Sequence, residues 1–233
     1  SLYSVGGVPV TTIPGAYNRI ETGQSLNYLW GWQYVGVNTQ TGNPMYLKAN
    51  GTLVQRNSAT GSYFTANDKN DGNMTTANPL TDADRVNLGN SLPTYFGAVT
   101  NNFRYKNFSV EFMIRFQGGN MIMNQTRQEA LLSQNFHNNG VEILNRWKAP
   151  GDVTDVPRLR YAQSATVNQT GAAISRFVES GDFVRLQNVV FSYAFSNQTL
   201  SKLSNGYIKN ARVFAQGQNL FMLTSYSGID PDN

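Results

Sequence analysis

The 233-residue chain contains no cysteine, a single histidine and few charges. Without cysteine there are no disulfides, no thiolate nucleophile and no cysteine-ligated metal. The lone His137 stands among Asn and Gly with neither a second ligand nor a nucleophile near it in sequence, so a solvated loop histidine is expected. Asp, Glu, Lys and Arg together make up 14% of the chain, against roughly a quarter in an average soluble domain. The net charge of +4 is spread out, with no basic cluster interleaved with aromatics, which argues against a nucleic-acid surface. No apolar run approaches the roughly 20 residues of a transmembrane helix. The start, SLYSVGGVPV, lacks the charged and apolar segments of a signal peptide. Any export signal is expected outside this sequence, and the chain is expected to be a fragment.

Catalytic signatures are equally sparse. Asp152, Asp155 and Asp182 invite comparison with paired glycosidase carboxylates, but two of them lie in GDVTD between Pro150 and Pro157, where Asp ordinarily caps turns. Gly118-Gly119 opens no strand-to-helix phosphate cradle. No enzyme activity and no cofactor are expected.

What the chain does have is Asn, Gln, Thr, Ser, Gly and aromatics, with 40% hydrophobic residues, a mixture suited to strands joined by long polar loops. The clearest pattern runs from Leu92 to Gln117. Phe108, Val110, Phe112, Ile114 and Phe116 fall on one face of a strand and Asn107, Ser109, Glu111, Arg115 and Gln117 on the other. In the preceding strand Tyr95, Gly97, Val99, Phe103 and Tyr105 oppose Thr94, Thr100, Asn102, Arg104 and Lys106. The two strands form a hairpin with Lys106-Asn107 at its tip. Such alternation suits either a soluble antiparallel sheet with one face on a core or a membrane barrel with lipid outside and water inside.

Further strands are expected over Leu26–Val37, in MYLKA after the TGNP turn at 41–44, over about 182–196, and after Asn210. Residues 50–91 read as loop. Helical spacing is expected over about 122–135 and 140–148, ending at Pro150-Gly151. Val189, Phe191, Tyr193 and Phe195 share a face from which Val184 and Leu186 are out of phase, so a bulge is expected near Asn188. Residues 197–210 read as a medium turn. In the last strand Val213, Ala215 and Gly217 oppose Arg212, Phe214, Gln216 and Gln218.

Short connections at 106–107 and 197–210 alternate with long ones, 1–92 and 118–181, which is the asymmetry of a membrane barrel. No Lys or Arg falls on the expected outward faces, Phe108 to Phe116 and Val189 to Phe195, where the bilayer midplane would charge about 2–4 kcal/mol for one. Asn102, Arg104, Glu111, Arg115, Gln117 and Gln216 are the expected lumen-facing residues. About four strands cannot close a barrel, which takes about eight, and open edges in lipid leave amides and carbonyls unsatisfied.

Five segments resemble, in order and spacing, the C-terminal part of the SusC/RagA family, the TonB-dependent outer-membrane transporters of Bacteroidetes. They are WGWQYVGVNTQTGNPMY (30–46), TDADRVNLGNSLPTYFGAVTNNFRYKNFSVEFMIRFQGGNMIMN (81–124), NRWKAPGDVTDVPRL (145–159), SRFVESGDFVRLQNVVFSYAF (175–195) and ARVFAQGQNLFMLTSYSGIDPDN (211–233). The resemblance implies an all-β fold, an antiparallel segment of a transmembrane β-barrel of about 22 strands with long extracellular loops containing short helices. It further implies a plug, a SusD-like lipoprotein lid, energy from TonB, residence in the outer-membrane lipid of a Gram-negative bacterium, and an oligosaccharide or peptide cargo. Residues 1–92 are then expected as an extracellular loop region with short strands. Residues 93–233 are expected as C-terminal barrel strands with one long extracellular loop at 118–181, the plug and the closing strand being absent. The competing expectation is a soluble carbohydrate-binding β-sandwich module.

Two details complete the expectations. Trp30, Trp32 and Tyr34 alternate on one face, either as packing or, for the two tryptophans, as a sugar-stacking platform. Asp68-Lys69-Asn70-Asp71-Gly72 sits where the family often has a calcium-type loop but is one residue short of that spacing, so a polar turn and no metal are expected.

Overall fold

The computed structural model describes residues 3–5, 8–134, 138–161 and 167–232, so His137 lies outside the described residues. Among the described residues every strand pairing but one is antiparallel. No described helix is long and apolar enough to cross a membrane, a statement that does not bear on strands. The chain divides into two compact units: Ser1–Leu92 with Asn120–Ser180 and Tyr226–Asp230, and Pro93–Gly119 with Gly181–Ser225 and Pro231–Asn233.

In the first unit a short hairpin, β1 (Tyr3–Val5) with β2 (Val8–Val10), precedes β3 (Thr12–Pro14) and β4 (Asn18–Glu21). These lead to β5 (Tyr28–Val37), β6 (Pro44–Leu47), β7 (Leu53–Arg56) and β8 (Tyr63–Thr65). The sheet runs β3-β4-β5-β6-β7-β8, and β9 (Val86–Gly89) adds antiparallel to β5. Strands β7, β8 and β9 lie in the stretch that reads as loop. Each has only three or four residues, too few for an alternation to register, and buried polar side chains hold β7 and the turns around it. Buried Gln55 donates to the carbonyls of Asp71 and Asn73, both at 2.9 Å, and Asn43 accepts from the Ser58 amide and hydroxyl at 3.1 and 2.8 Å. Buried polar groups are retained only where hydrogen bonds replace water, and here they do.

The excursion after the hairpin also departs from the helical expectation. Met121–Met123 is a strand, β12, paired to β14 (Val178–Ser180), and the described coil of this first stretch is confined to residues 125–131, of which Arg127–Leu131 is a π-turn. Val141–Asn145 forms a 3-10 turn. The i, i+3 spacing of apolar residues suits these tighter and wider coils as well as an α-helix. Their apolar residues join the core: Tyr46, Val54, Leu132, Ile174 and Phe177 are buried, with Trp32, Tyr34, Met123 and Ile143 packed on them. Between β12 and β14 in sequence, β13 (Ala173–Ile174) pairs parallel to β5 at Gly31 and Trp32. A Cβ on Gly31 would run into the Ala173 carbonyl. Gly31→Ala is expected to cost about 1–3 kcal/mol through this overpacking, read as a lower midpoint for tryptophan fluorescence on heating, whereas an unchanged midpoint would show that the β5–β13 approach is slack.

The second unit is a four-stranded sheet, β10-β11-β15-β16. It comprises β10 (Tyr95–Tyr105), β11 (Phe108–Gly118), β15 (Phe183–Ala194) and β16 (Arg212–Thr224). The hairpin turns at Lys106-Asn107, with Lys106 at φ 52. The bulge is where the phase of the apolar residues requires it. Register between β11 and β15 shifts as Phe112 pairs Val189 and Ile114 pairs Leu186, which returns Val184 and Leu186 to the face of the phenylalanines. Gly97 lies opposite Phe116, whose ring covers it closely enough that a Cβ would come within 2.8 Å of it. The medium turn contains an α-helix, α1 (Asn197–Ser204), whose Ser196 hydroxyl accepts the Thr199 amide as N-cap, with Asn205 in the left-handed region as C-cap.

Candidate functional site

Strand pairing sorts the sheet into two faces. On one, Tyr105 lies opposite Phe108 and Phe103 opposite Val110. Phe108 is followed across the sheet by Tyr193 and then Val213, and Val110 by Phe191 and then Ala215. Aromatics pack along this face, Phe103 stacked on Phe112 at 6.0 Å and Phe108 tilted against Tyr193 at 4.8 Å between centroids. Yet it is not dry: Phe103 is 61% exposed, Val213 61% and Phe221 58%. The one polar interruption is Asn101, opposite Phe112.

The other face gathers all six residues singled out for a lumen. Arg104 lies opposite Ser109, Asn102 opposite Glu111, Arg115 opposite Ala98, Gln117 opposite Phe96, and Gln216 lies across Val190 from Glu111. Asn102 Nδ2 donates to Glu111 Oε2 at 3.3 Å, Gln216 Nε2 to Asn188 Oδ1 at 3.0 Å, and the Ser109 and Ser192 hydroxyls share a 2.6 Å bond. The polar and charged groups of this face are interleaved with Ala98, Met113, Val190 and Met222, and the face carries Phe96 near one end and Phe214 near the other.

Two residues here were missed from sequence. Arg115 lies directly opposite Arg185, a like-charge pairing that is destabilising by itself. Asp232 resolves it: its carboxylate takes Arg115 bidentately, at 2.5 and 3.0 Å, and lies 3.9 Å from Arg185. Both guanidinium groups also stand near the Phe183 ring, at 5.6 and 5.1 Å. The bulge near Asn188 was the available signal for Arg185, because re-phasing Val184 and Leu186 onto the phenylalanine face forces Arg185 onto the other. Asp232→Asn leaves the two arginines facing each other with only a neutral acceptor, and a loss of about 1.5–3 kcal/mol is expected. Urea unfolding in detergent measures this, and Arg115→Gln in the same background should recover part of it.

In the first unit the tryptophans are occupied. The Arg19 guanidinium lies 4.3 Å from the Trp30 ring centroid and that of Arg85 lies 4.2 Å from Trp32, while Trp32 Nε1 donates to the Thr81 carbonyl at 2.8 Å. Tyr34 donates to the Asp155 carbonyl at 2.6 Å, with Arg176 5.5 Å from its ring. Beside them runs an ion-pair network. Arg127 grips Glu142 through two 2.7 Å bonds and reaches Glu179 at 3.2 Å, and Arg176, its side chain 3% exposed, approaches Glu142 at 3.3 Å. Burial pushes the Glu142 carboxyl up, but hydrogen bonding and charge from Arg127, then Arg176, outweigh it and hold the group below the usual range.

Of the three carboxylates considered for chemistry, Asp155 lies 3.9 Å from Arg176 and the other two serve the backbone. Asp152 accepts the amides of Lys148 and Ala149 at 2.8 and 3.0 Å, which together lower its affinity for a proton. Asp182 accepts the Gly119 amide at 2.8 Å. In the short Asp68–Gly72 loop, Asp68 accepts the Asn70 amide at 2.7 Å, and both Asp71 oxygens accept amides, from Asn67 and Asn73, at 2.9 Å. Among the described residues no group of three or more His, Cys, Asp or Glu stands together as a metal set.

No protein-family model matches the chain. Its sequence is similar to TonB-dependent receptor P3 of Formosa agariphila, 29% identical over 228 residues, and to receptor P39 of the same organism, 31% identical over 151 residues. These alignments cover 96% and 64% of the chain but only 21% and 14% of those receptors, so the chain spans about a fifth of the length of the curated relatives it matches. The fold is similar to that in the structure of the RagAB peptide transporter, with a TM-score of 0.69, 20% identity, and 96% of this chain laid on 22% of that one. The RagAB importer in its closed-closed state gives a TM-score of 0.68. In sequence and in fold alike, the chain matches one segment of a SusC/RagA-type TonB-dependent transporter.

Proposed function

We propose that the four-stranded sheet is part of the wall of an outer-membrane barrel, with its phenylalanine face in lipid and the face of Glu111 and Arg115 lining a water-filled lumen. The observation that carries this reading is the exposure of an aromatic and aliphatic face spanning all four strands, opposite a face on which the charged and hydrogen-bonded side chains of the sheet are gathered between Phe96 and Phe214. In water such a face is an aggregation liability. In hydrocarbon it is the required surface, and the polar face behind it is the surface a lumen requires. The long edge strands β10 and β16 would pair there with further strands of the same barrel, satisfying their outer amides and carbonyls. A soluble sandwich needs the same rings dry, and their exposure speaks against it.

In this reading residues 1–92 and the 118–181 excursion form an extracellular loop body, and the tight 106–107 turn and α1 lie on the periplasmic side. Trp30 and Trp32, each beside an arginine, brace that body. The whole receptor would import oligosaccharides or peptides, with a SusD-like lipoprotein as its lid and TonB as its energy source. The receptor-named relatives and the peptide-transporter neighbour support this. Cells carrying the intact receptor should accumulate labelled oligopeptide or oligosaccharide only while the inner membrane is energised. Equal uptake after the proton-motive force is collapsed would contradict the proposal.

A further inference from the structure

We propose that a cavity of about 250 Å³ in the first unit, lined by Arg146, Trp147, Lys148, Arg158 and Leu159, binds the carboxylate of an acidic ligand. Three of its five lining side chains are cations and none is an acid. Elsewhere in the same unit Arg19, Arg85, Arg127 and Arg176 each have a carboxylate within 4.0 Å. Among the described residues no such ion pair reaches Arg146, Lys148 or Arg158. The nearby carboxylates have other partners: Asp152 accepts the Lys148 and Ala149 amides and feels the charge of Lys148, Glu142 pairs with Arg127 and Arg176, and exposed Asp155 lies 3.9 Å from Arg176. Arg160, two residues along, adds a further charge, and its Nε is buried without a hydrogen-bond partner among the described residues. Burial, then the charge of Arg160, lowers the affinity of Arg158 for its proton, as expected of a cation short of counter-charge.

The pocket is held in place. Trp147 donates its indole N–H to the Thr39 carbonyl at 2.8 Å and its amide to the Val156 carbonyl at 2.9 Å. Its ring packs on Gly42, at φ 71, where a Cβ would collide with it. Arg158 is fixed by its amide to the Gly42 carbonyl at 2.9 Å and by Nη1 to the Thr41 carbonyl at 3.2 Å, with the guanidinium 5.5 Å from the Trp147 centroid. Arg146 makes one long bond, Nη1 to the Ile143 carbonyl at 3.4 Å. Of the five donors on each guanidinium, one on each is engaged by these contacts. A planar carboxylate matches the remainder bidentately. The volume is below the roughly 300–1,000 Å³ of a pocket that swallows a whole small molecule, so the site takes one acidic end of a longer ligand.

Naming that ligand as cargo rests on the import reading; the carboxylate specificity does not. Calorimetry on the intact receptor in detergent tests it with trigalacturonate and N-acetylated, C-amidated triglutamate as probes, each beside its neutral counterpart, the trimethyl ester and the equally capped triglutamine. Binding of either acidic probe, with the neutral partner about tenfold or more weaker, is expected, and which probe binds tells a sugar carboxylate from a peptide one. R158Q and R146Q should each weaken binding about tenfold, while K202Q, on α1, should leave it unchanged. Equal binding of acidic and neutral probes, or wild-type binding by the R146Q/R158Q double variant, would overturn the inference. Should those variants lose their melting transition, K148Q at the exposed lining position is read instead, with the same criterion. Because binding is scored without an energised membrane, a receptor that imports neutral cargo but ignores both acidic probes refutes this inference and leaves the import reading standing.

Discussion

An arginine at Phe112 is expected to destabilise the membrane-inserted receptor by about 2–4 kcal/mol, the midplane cost of a cation on a lipid-facing barrel position. Phe112 sits near the middle of the eleven-residue β11, opposite Asn101 on one side and Val189 on the other. Part of any loss would come from the ring itself, which stacks on Phe103, so Phe112→Leu is the control that removes the aromatic without adding charge. Glu111 is the matched test. It is one residue away and points to the opposite face, where its contact is a single 3.3 Å bond from Asn102. Glu111→Arg should shift stability by roughly 0.5 kcal/mol or less, as for a wet surface position. Denaturant unfolding from lipid vesicles reads both, and comparable losses at the two neighbours would contradict the assignment of faces.

The second large effect lies in the first unit. Glu142→Gln should cost about 2–3 kcal/mol, less than the 3–5 kcal/mol of a fully buried pair because the side chain keeps some solvent access. The change removes the charge shared by Arg127 and Arg176, and Arg176 has almost no access to water. The same carboxylate sets a pH dependence. Its affinity for a proton is lower folded than unfolded, so its stabilisation is fully present above the unfolded value of about 4.3 and is lost as pH falls through the lower folded value. Asp84 and Glu129 are shifted in the same direction. Burial opposes the shift at Asp84 and is outweighed by Thr81 and Lys48, whereas the Tyr17 hydrogen bond leads it at Glu129. The melting temperature should therefore be flat from pH 7 to pH 5 and fall below about pH 4, and Glu142→Gln should blunt the fall. A profile unaltered by that substitution would place the acid lability elsewhere.

The barrel strands were legible because each has eleven to thirteen residues and one wet face, so the period of two has room to show. The hairpin tip and the bulge at Asn188 followed from phase alone. The first unit was not legible in the same way. Strands β7 to β9 are too short to alternate; β7 is held by Gln55 reaching Asp71 and Asn73, while β8 and β9 are fixed by pairing with β7 and β5. Helix α1 carries a Ser196-to-Thr199 cap that could have been read, but its mostly polar eight residues looked like turn. The six polar positions fell on one face because that follows from strand phase, whereas the Arg115–Asp232 pair spans a separation in sequence that no local pattern encodes. The cationic pocket escaped notice for a related reason: Arg146 and Arg158 meet only after the chain has doubled back, bringing Val156 to Trp147 and Arg158 to Gly42.

The central claim is about which medium each face of the sheet touches, and nitroxide accessibility measures that directly. Labels at Phe112 and, separately, at Glu111, in the intact receptor reconstituted in lipid, should relax oppositely, the first with dissolved oxygen from the bilayer and the second with a water-soluble nickel chelate. Equal oxygen accessibility at the two positions, or chelate access at Phe112, would contradict it.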